Sequence, residues 1–262
     1  MNIRSILFTF LLLSSSYTFG MDSVATPDTL SLNKGDVQEA IECARQLLYL
    51  YPPETHKIYG LGNTPAFLIE ICKILDTQHP KHFEHIAFSG SWWFCDVGPN
   101  ELDREEAYTP SFEQIKCYRS YLTTIGLDPK TLSMQDKRIV IVDLVDTGGS
   151  MKSFLEIFKN WADEIGVTKE IEEILSLYIF DPLFDPWVRV RTTEQPAFIL
   201  NWPTLDFRKE KLCNFIKTCN KAQQEDRLVC NFCYSVWPTT NPAQFIHSEK
   251  VNKTLGYIKA TL

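Results

Sequence analysis

The chain has 262 residues and a formal net charge of −7, and 44% of its residues are hydrophobic. That leaves room for a sizeable core, in one large domain with additions or two small ones. The acidic balance excludes a broad nucleic-acid footprint, and any phosphate site has to draw on local amides rather than on surface charge.

Met1-Asn-Ile-Arg4 is a short basic start, Ile6 to Leu13 is almost wholly apolar, and Ser14 to Gly20 is small and polar with a few aromatics. This is the pattern of a secretory signal peptide over residues 1–20. Its apolar core is too short for a spanning helix, so no membrane span is expected after cleavage. Export, to a periplasm or the outside, is the expectation. Met21 offers a second start, which would leave the protein in the cytoplasm. The polar residues 21–35 read as a tether.

Asp36, with Glu39 three residues on, forms a helix-start pattern. Val37, Ile41, Ala44, Leu47, Leu48 and Tyr51 keep helical spacing until Pro52-Pro53. Lys57 to Leu61 reads as a strand, and Gly62-Asn63-Thr64-Pro65 as the turn into a helix over Ala66–Leu75. Thr64 suits the N-cap there and Pro65 the first helical position. His79, His82 and His85 share a face only on a helix, which Pro80 and the strand that follows oppose; they read as surface histidines rather than a metal triad.

Glu84 to Ser89 is the next strand, followed by the aromatic cluster Trp92-Trp93-Phe94, a candidate protein-contact patch. From Asp96 to Glu106 the chain is acidic and reads as a solvated loop. Thr109-Pro110 would open a helix carrying Phe112, Ile115, Tyr118, Leu122 and Ile125 inward, stopped by Gly126.

The most informative stretch comes next. Ile139 to Val142 is a continuous β-branched run, as in a strand buried on both faces. Asp143 ends it, and Asp146-Thr147-Gly148-Gly149-Ser150 is turn chemistry. Met151, Phe154, Leu155, Phe158, Trp161 and Ile165 then recur at helical spacing, to a stop at Gly166. Strand, small-residue turn and helix N-terminus make a phosphate cradle of backbone amides and hydroxyls. Asp143 and Asp146, at the strand's carboxyl end, can accept hydrogen bonds from sugar hydroxyls or act as a base.

Ile174 to Phe180 is a further strand, with turns expected at Asp181-Pro182 and Asp185-Pro186. Strand and helix alternate from residue 57 to 180, so the fold class is α/β, a mostly parallel sheet flanked by helices. Val188 to Arg191 alternates, and Phe207 to Cys219 suits an amphipathic helix. Of eight cysteines, Cys43, Cys72 and Cys117 lie on helical patterns as buried thiols; Cys95, Cys213, Cys219, Cys230 and Cys233 leave disulfides, a zinc knuckle or free thiols open.

At Asp143-Leu-Val-Asp146-Thr-Gly-Gly-Ser150 the chain resembles the type I phosphoribosyltransferases, whose signature is an apolar strand, acidic residues and a Thr-Gly-x-Thr/Ser loop. The resemblance implies a core over residues 36–186 and a C-terminal extension or hood over residues 187–262. It implies that Thr147, Gly148, Gly149 and Ser150 hold a 5′-phosphate, and that Asp143 contacts a ribose hydroxyl. Asp146 would exchange a proton with the base, while Gly62, Asn63 and Thr64 would bind pyrophosphate. A ribose 5-phosphate or phosphoribosyl pyrophosphate-type ligand, Mg²⁺ and transfer of phosphoribosyl to a nucleobase follow from it, within nucleotide metabolism. Two departures stand out. Val142 replaces the first of two adjacent acids, and the segment after Ser89, often basic in the family, is acidic. They leave a second reading, a catalytically inactive exported relative that acts as a binding or protein-interaction module.

Overall fold

The computed structural model describes residues 34–62, 65–88, 110–144, 149–184, 187–193, 207–208 and 249–262. The signal-like segment, the tether up to residue 33, the Trp92-Trp93-Phe94 cluster and five of the cysteines lie outside them.

The apolar runs form strands β1 (His56–Leu61), β2 (Phe83–Ile86), β3 (Arg138–Leu144), β4 (Leu175–Phe184), β5 (Trp187–Thr193) and β6 (Phe207–Arg208). They make one sheet in the order β2-β1-β3-β4-β5-β6. The first four run parallel; β5 is antiparallel to β4, and β6 to β5. The helices are α1 (Lys34–Leu50), α2 (Ala66–Leu75), α3 (Phe112–Thr124), α4 (Pro129–Leu132), α5 (Gly149–Ile165), α6 (Thr168–Ile174) and α7 (Glu249–Thr261). The fold is therefore α/β, a mostly parallel sheet flanked by helices.

Strand alternation splits the core into two layers. Ile58, Val140, Val142 and Tyr178 pack with α1, α2 and α7. Tyr59, Ile139, Ile141, Leu177 and Ile179 pack with α3, α4, α5 and α6 on the other face. Parallel crossovers are right-handed, so stepping outward from β1 to β2 and, in the other direction, from β3 to β4 puts α2 and α5 on opposite faces. The β-branched run of β3 is thus covered on both sides, as its composition requires.

Several local expectations are corrected. The chain enters α3 through Ser111, not Thr109-Pro110, because Ser111 and Gln114 close a reciprocal capping box at 2.8 and 3.2 Å. Phe112, expected inward, is 73% exposed. The helix ends where expected, at Gly126 with φ 81°. Asp36 lies inside α1, which begins at Lys34. Asp128 caps the one-turn α4, and the charged stretch before β4 is helical, as α6. Asp181-Pro182 is no turn: β4 runs through it to Phe184, with a register shift between Asp181 and Phe184 of the kind that admits proline. Phe207 and Arg208 pair with β5 rather than starting a helix. Beyond residue 186, β5 and β6 continue the same sheet, and Leu255 and Ile258 of α7 pack into the α1/α2 layer. Cys43 and Cys72 are buried, and Cys117 is half-buried. No helix among the described residues is long and apolar enough to cross a membrane.

The histidines divide. His85 is buried, not at the surface, with Nε2 2.8 Å from Glu70 Oε1. His79 lies 3.0 Å from Asp76 and stacks on His82, ring centroids 5.3 Å apart. Lys137 Nζ donates to His82 Nε2 over 2.9 Å, which requires that nitrogen unprotonated. Burial, then the Lys137 charge, pulls the His82 pKa down; burial is also the largest cause lowering His56, with Arg138 adding to it. Below the ordinary histidine value of about 6.5 the unfolded chain therefore binds more protons at these positions than the native one. Stability contributed by neutral His56 and His82 is full above that pH and is lost as pH falls through the folded values. Thermal melting between about pH 7 and pH 5 should show the midpoint dropping with acid, and His82→Gln should flatten part of that slope. A flat midpoint in both proteins would contradict it. The carboxylates Asp163 and Glu164, held low by Lys159 and Arg119, titrate in a more acidic window.

Candidate functional site

Neighbouring strands β1 and β3 send the chain in opposite directions, β1 outward to β2 and β3 outward to β4. In open α/β sheets the carboxyl ends at such a reversal flank a crevice, because the loops leave toward opposite faces. Both stretches that carry chemistry in the sequence leave from there. Gly62-Asn63-Thr64 follows β1, and the stretch from Asp143 to Ser150 begins at the end of β3, with Gly60 paired to Val142 across the two strands.

The turn after β1 is built on two glycines. Gly60 lies under the start of α2, where a Cβ would come 2.8 Å from Ile69 Cγ1 and 3.2 Å from Pro65 Cγ. A side chain there would push the helix off the strand. Gly62 has φ +72°, and its amide donates to Ile86 O over 2.9 Å. A Cβ on it would meet the Phe88 carbonyl oxygen at 2.9 Å. The helix spans Ala66–Leu75 as expected, but Pro65 occupies its N-cap position, expected for Thr64, rather than the first helical one, and gives no side-chain cap to the first amides. Gly60 was legible in principle, since a glycine inside a strand signals close approach by another segment.

Asp143, expected to end the strand, is the next-to-last residue of β3, which runs on to Leu144, and it is 7% exposed. Alternation sets it on the face of Ile139 and Ile141, the face that α5 covers. Gly149 and Ser150 begin α5, and Ser150 is half-buried there. The structure thus brings Gly62, Asp143, Gly149 and Ser150 to the ends of two adjacent strands. Asn63, Thr64, Asp146, Thr147 and Gly148 lie outside the described residues. Val142 is fully buried in the opposite layer, against α1 and α2.

Phe88 and Tyr121 were not singled out in the sequence. Phe88 follows β2 and fills the space between Tyr118 of α3 and Phe154 of α5, at ring-centroid distances of 5.8 and 5.9 Å. Tyr121 was reachable, lying three residues after Tyr118 on the helical period.

Among the described residues no group of three or more histidine, cysteine or acidic side chains converges on a metal position. Asp143 is the single described carboxylate at the ends of β1 and β3. One carboxylate suits Mg²⁺, which takes few protein ligands and draws the rest from phosphates and water. Comparison with known protein families, curated proteins and solved structures finds no match to this chain.

Proposed function

We propose that the chain binds a ribose 5-phosphate or phosphoribosyl pyrophosphate-type ligand across the ends of β1 and β3, as a phosphoribosyltransferase-like protein. One observation carries this reading: the Gly62 turn and the Asp143–α5 junction, far apart in sequence, leave adjacent strands where the sheet order reverses. The phosphate would sit on the amides opening α5, where the helix dipole favours negative charge. Asp143 would accept hydrogen bonds from a ribose hydroxyl. A pyrophosphate group would lie against the turn carrying Gly62, Asn63 and Thr64. In a transfer reaction Asp146 would exchange the proton of the incoming or leaving base, and Mg²⁺ held by Asp143 and the ligand would offset pyrophosphate charge.

A second reading is favoured by Val142. Its side chain is locked in the hydrophobic layer where the transferases carry an acid, which leaves one ribose-facing carboxylate. In this reading the chain is an exported relative that binds the sugar phosphate, or a protein partner through Trp92, Trp93 and Phe94, without transferring anything.

Calorimetric titration with phosphoribosyl pyrophosphate and Mg²⁺, and with ribose 5-phosphate alone, tests the proposal. Saturable heat at up to millimolar ligand is expected, and Gly148→Val should abolish it without unfolding the protein. Absence of heat with both ligands removes the sugar-phosphate reading. Pyrophosphate release on adding nucleobases separates the enzyme from the inactive relative.

A further inference from the structure

We propose that Tyr121 is the positioning residue of this site, setting the shape of the Gly62 turn through the exit of β2. The inference rests on the sugar-phosphate reading only for its ligand.

The Tyr121 hydroxyl accepts the Ala87 amide over 2.8 Å and donates to the His85 carbonyl over 3.1 Å. It does for one side of β2 what a neighbouring strand would do, taking one donor and giving one to alternate residues. On the other side of the same segment, the Gly62 amide donates to Ile86 O over 2.9 Å. The Phe88 carbonyl then closes against Gly62, leaving no room for a Cβ. A side chain on α3 therefore reaches the turn after β1 in two steps, both through the backbone of residues 85–88.

The alternative role for Tyr121 is plain core packing, since it is 9% exposed and its ring lies 5.7 Å from that of Tyr118. The phenyl ring of Tyr121→Phe keeps that packing and removes only the hydroxyl. The variant leaves the Ala87 amide without this acceptor, and the exit of β2 loses its outer restraint.

The test is backbone amide exchange in wild type and Tyr121→Phe, with ribose 5-phosphate titration of both. Exchange at Ala87 and Gly62 should rise at least about tenfold, with Ile141 and Leu177 unchanged; a tenfold change corresponds to about 1.4 kcal/mol, the scale of one buried hydrogen bond. Affinity for ribose 5-phosphate should fall several-fold. Unchanged exchange at Gly62, or an equal rise at Ile141 and Leu177, overturns the inference and leaves the sugar-phosphate reading intact. If wild type binds neither ribose 5-phosphate nor phosphoribosyl pyrophosphate with Mg²⁺, that reading fails, while the exchange pattern still decides whether Tyr121 sets the turn.

Discussion

Gly62→Ala lowers the unfolding free energy by about 2–3 kcal/mol and abolishes measurable sugar-phosphate binding: this is the expected result, from two separate costs. At φ +72° an alanine Cβ is strained by its own backbone, about 1–2 kcal/mol. The second cost is collision with the Phe88 carbonyl at 2.9 Å. That oxygen is a backbone atom one residue past the Ala87 amide that Tyr121 holds, so it yields less readily than a side-chain tip. Gly166→Ala is the matched control. Gly166 has φ +73°, and a Cβ added to it would meet nothing within 4 Å, so it carries the backbone strain alone. Urea unfolding of the two variants should place Gly62→Ala clearly below Gly166→Ala. Equal losses would mean that the β2 exit yields to the new methyl group and that the turn is not rigid.

Much of the architecture was written in local pattern. The β-branched run of β3 required cover on both faces, and the two core layers supply it. Pro52-Pro53, Gly126 and Gly166 marked helix ends because each acts through its own backbone. Two expectations failed on strand pairing that the local pattern does not show. Asp181-Pro182 reads as a turn in isolation but sits at a register shift within β4, where pairing to β5 overrides the proline. Phe207 has helical spacing on its carboxyl side but lies on a strand next to β5. The helix α7 carries Leu255 and Ile258 three residues apart, too sparse a pattern among polar neighbours to stand out.

The candidate site divides along the same line. Asp143, Gly149, Ser150 and Gly62 were readable because turn chemistry is local. That they meet was not readable, since it follows from β1 and β3 being adjacent with their connections diverging. The supporting residues Phe88 and Tyr121 stand in readable segments, Tyr121 on the helical period of α3, but their role was not readable, for a related reason. Each matters through contacts with residues tens of positions away, and neither residue type announces that role.

Phe154→Ala should give the largest stability loss of the changes considered, about 3–5 kcal/mol in chemical unfolding. Phe154 is fully buried on α5, stacked on Phe158 at 6.0 Å and edge-on to Phe88 at 5.9 Å. Truncation leaves a cavity between α5 and the sheet that neighbouring strands are too constrained to fill. Phe158→Ala should cost a similar amount, because Phe158 is equally buried, but it has no ring contact with Phe88 among those described. The two variants therefore separate stability from site geometry. Phe154→Ala loosens the residue whose carbonyl bounds Gly62, so it should raise amide exchange at Gly62 beyond what its global destabilisation explains. Phe158→Ala should raise exchange only as far as the whole domain loosens. Identical exchange at Gly62, once scaled to the global loss of each, would mean that the Phe88 ring is a passenger in the core and that the turn is held by its backbone bonds alone.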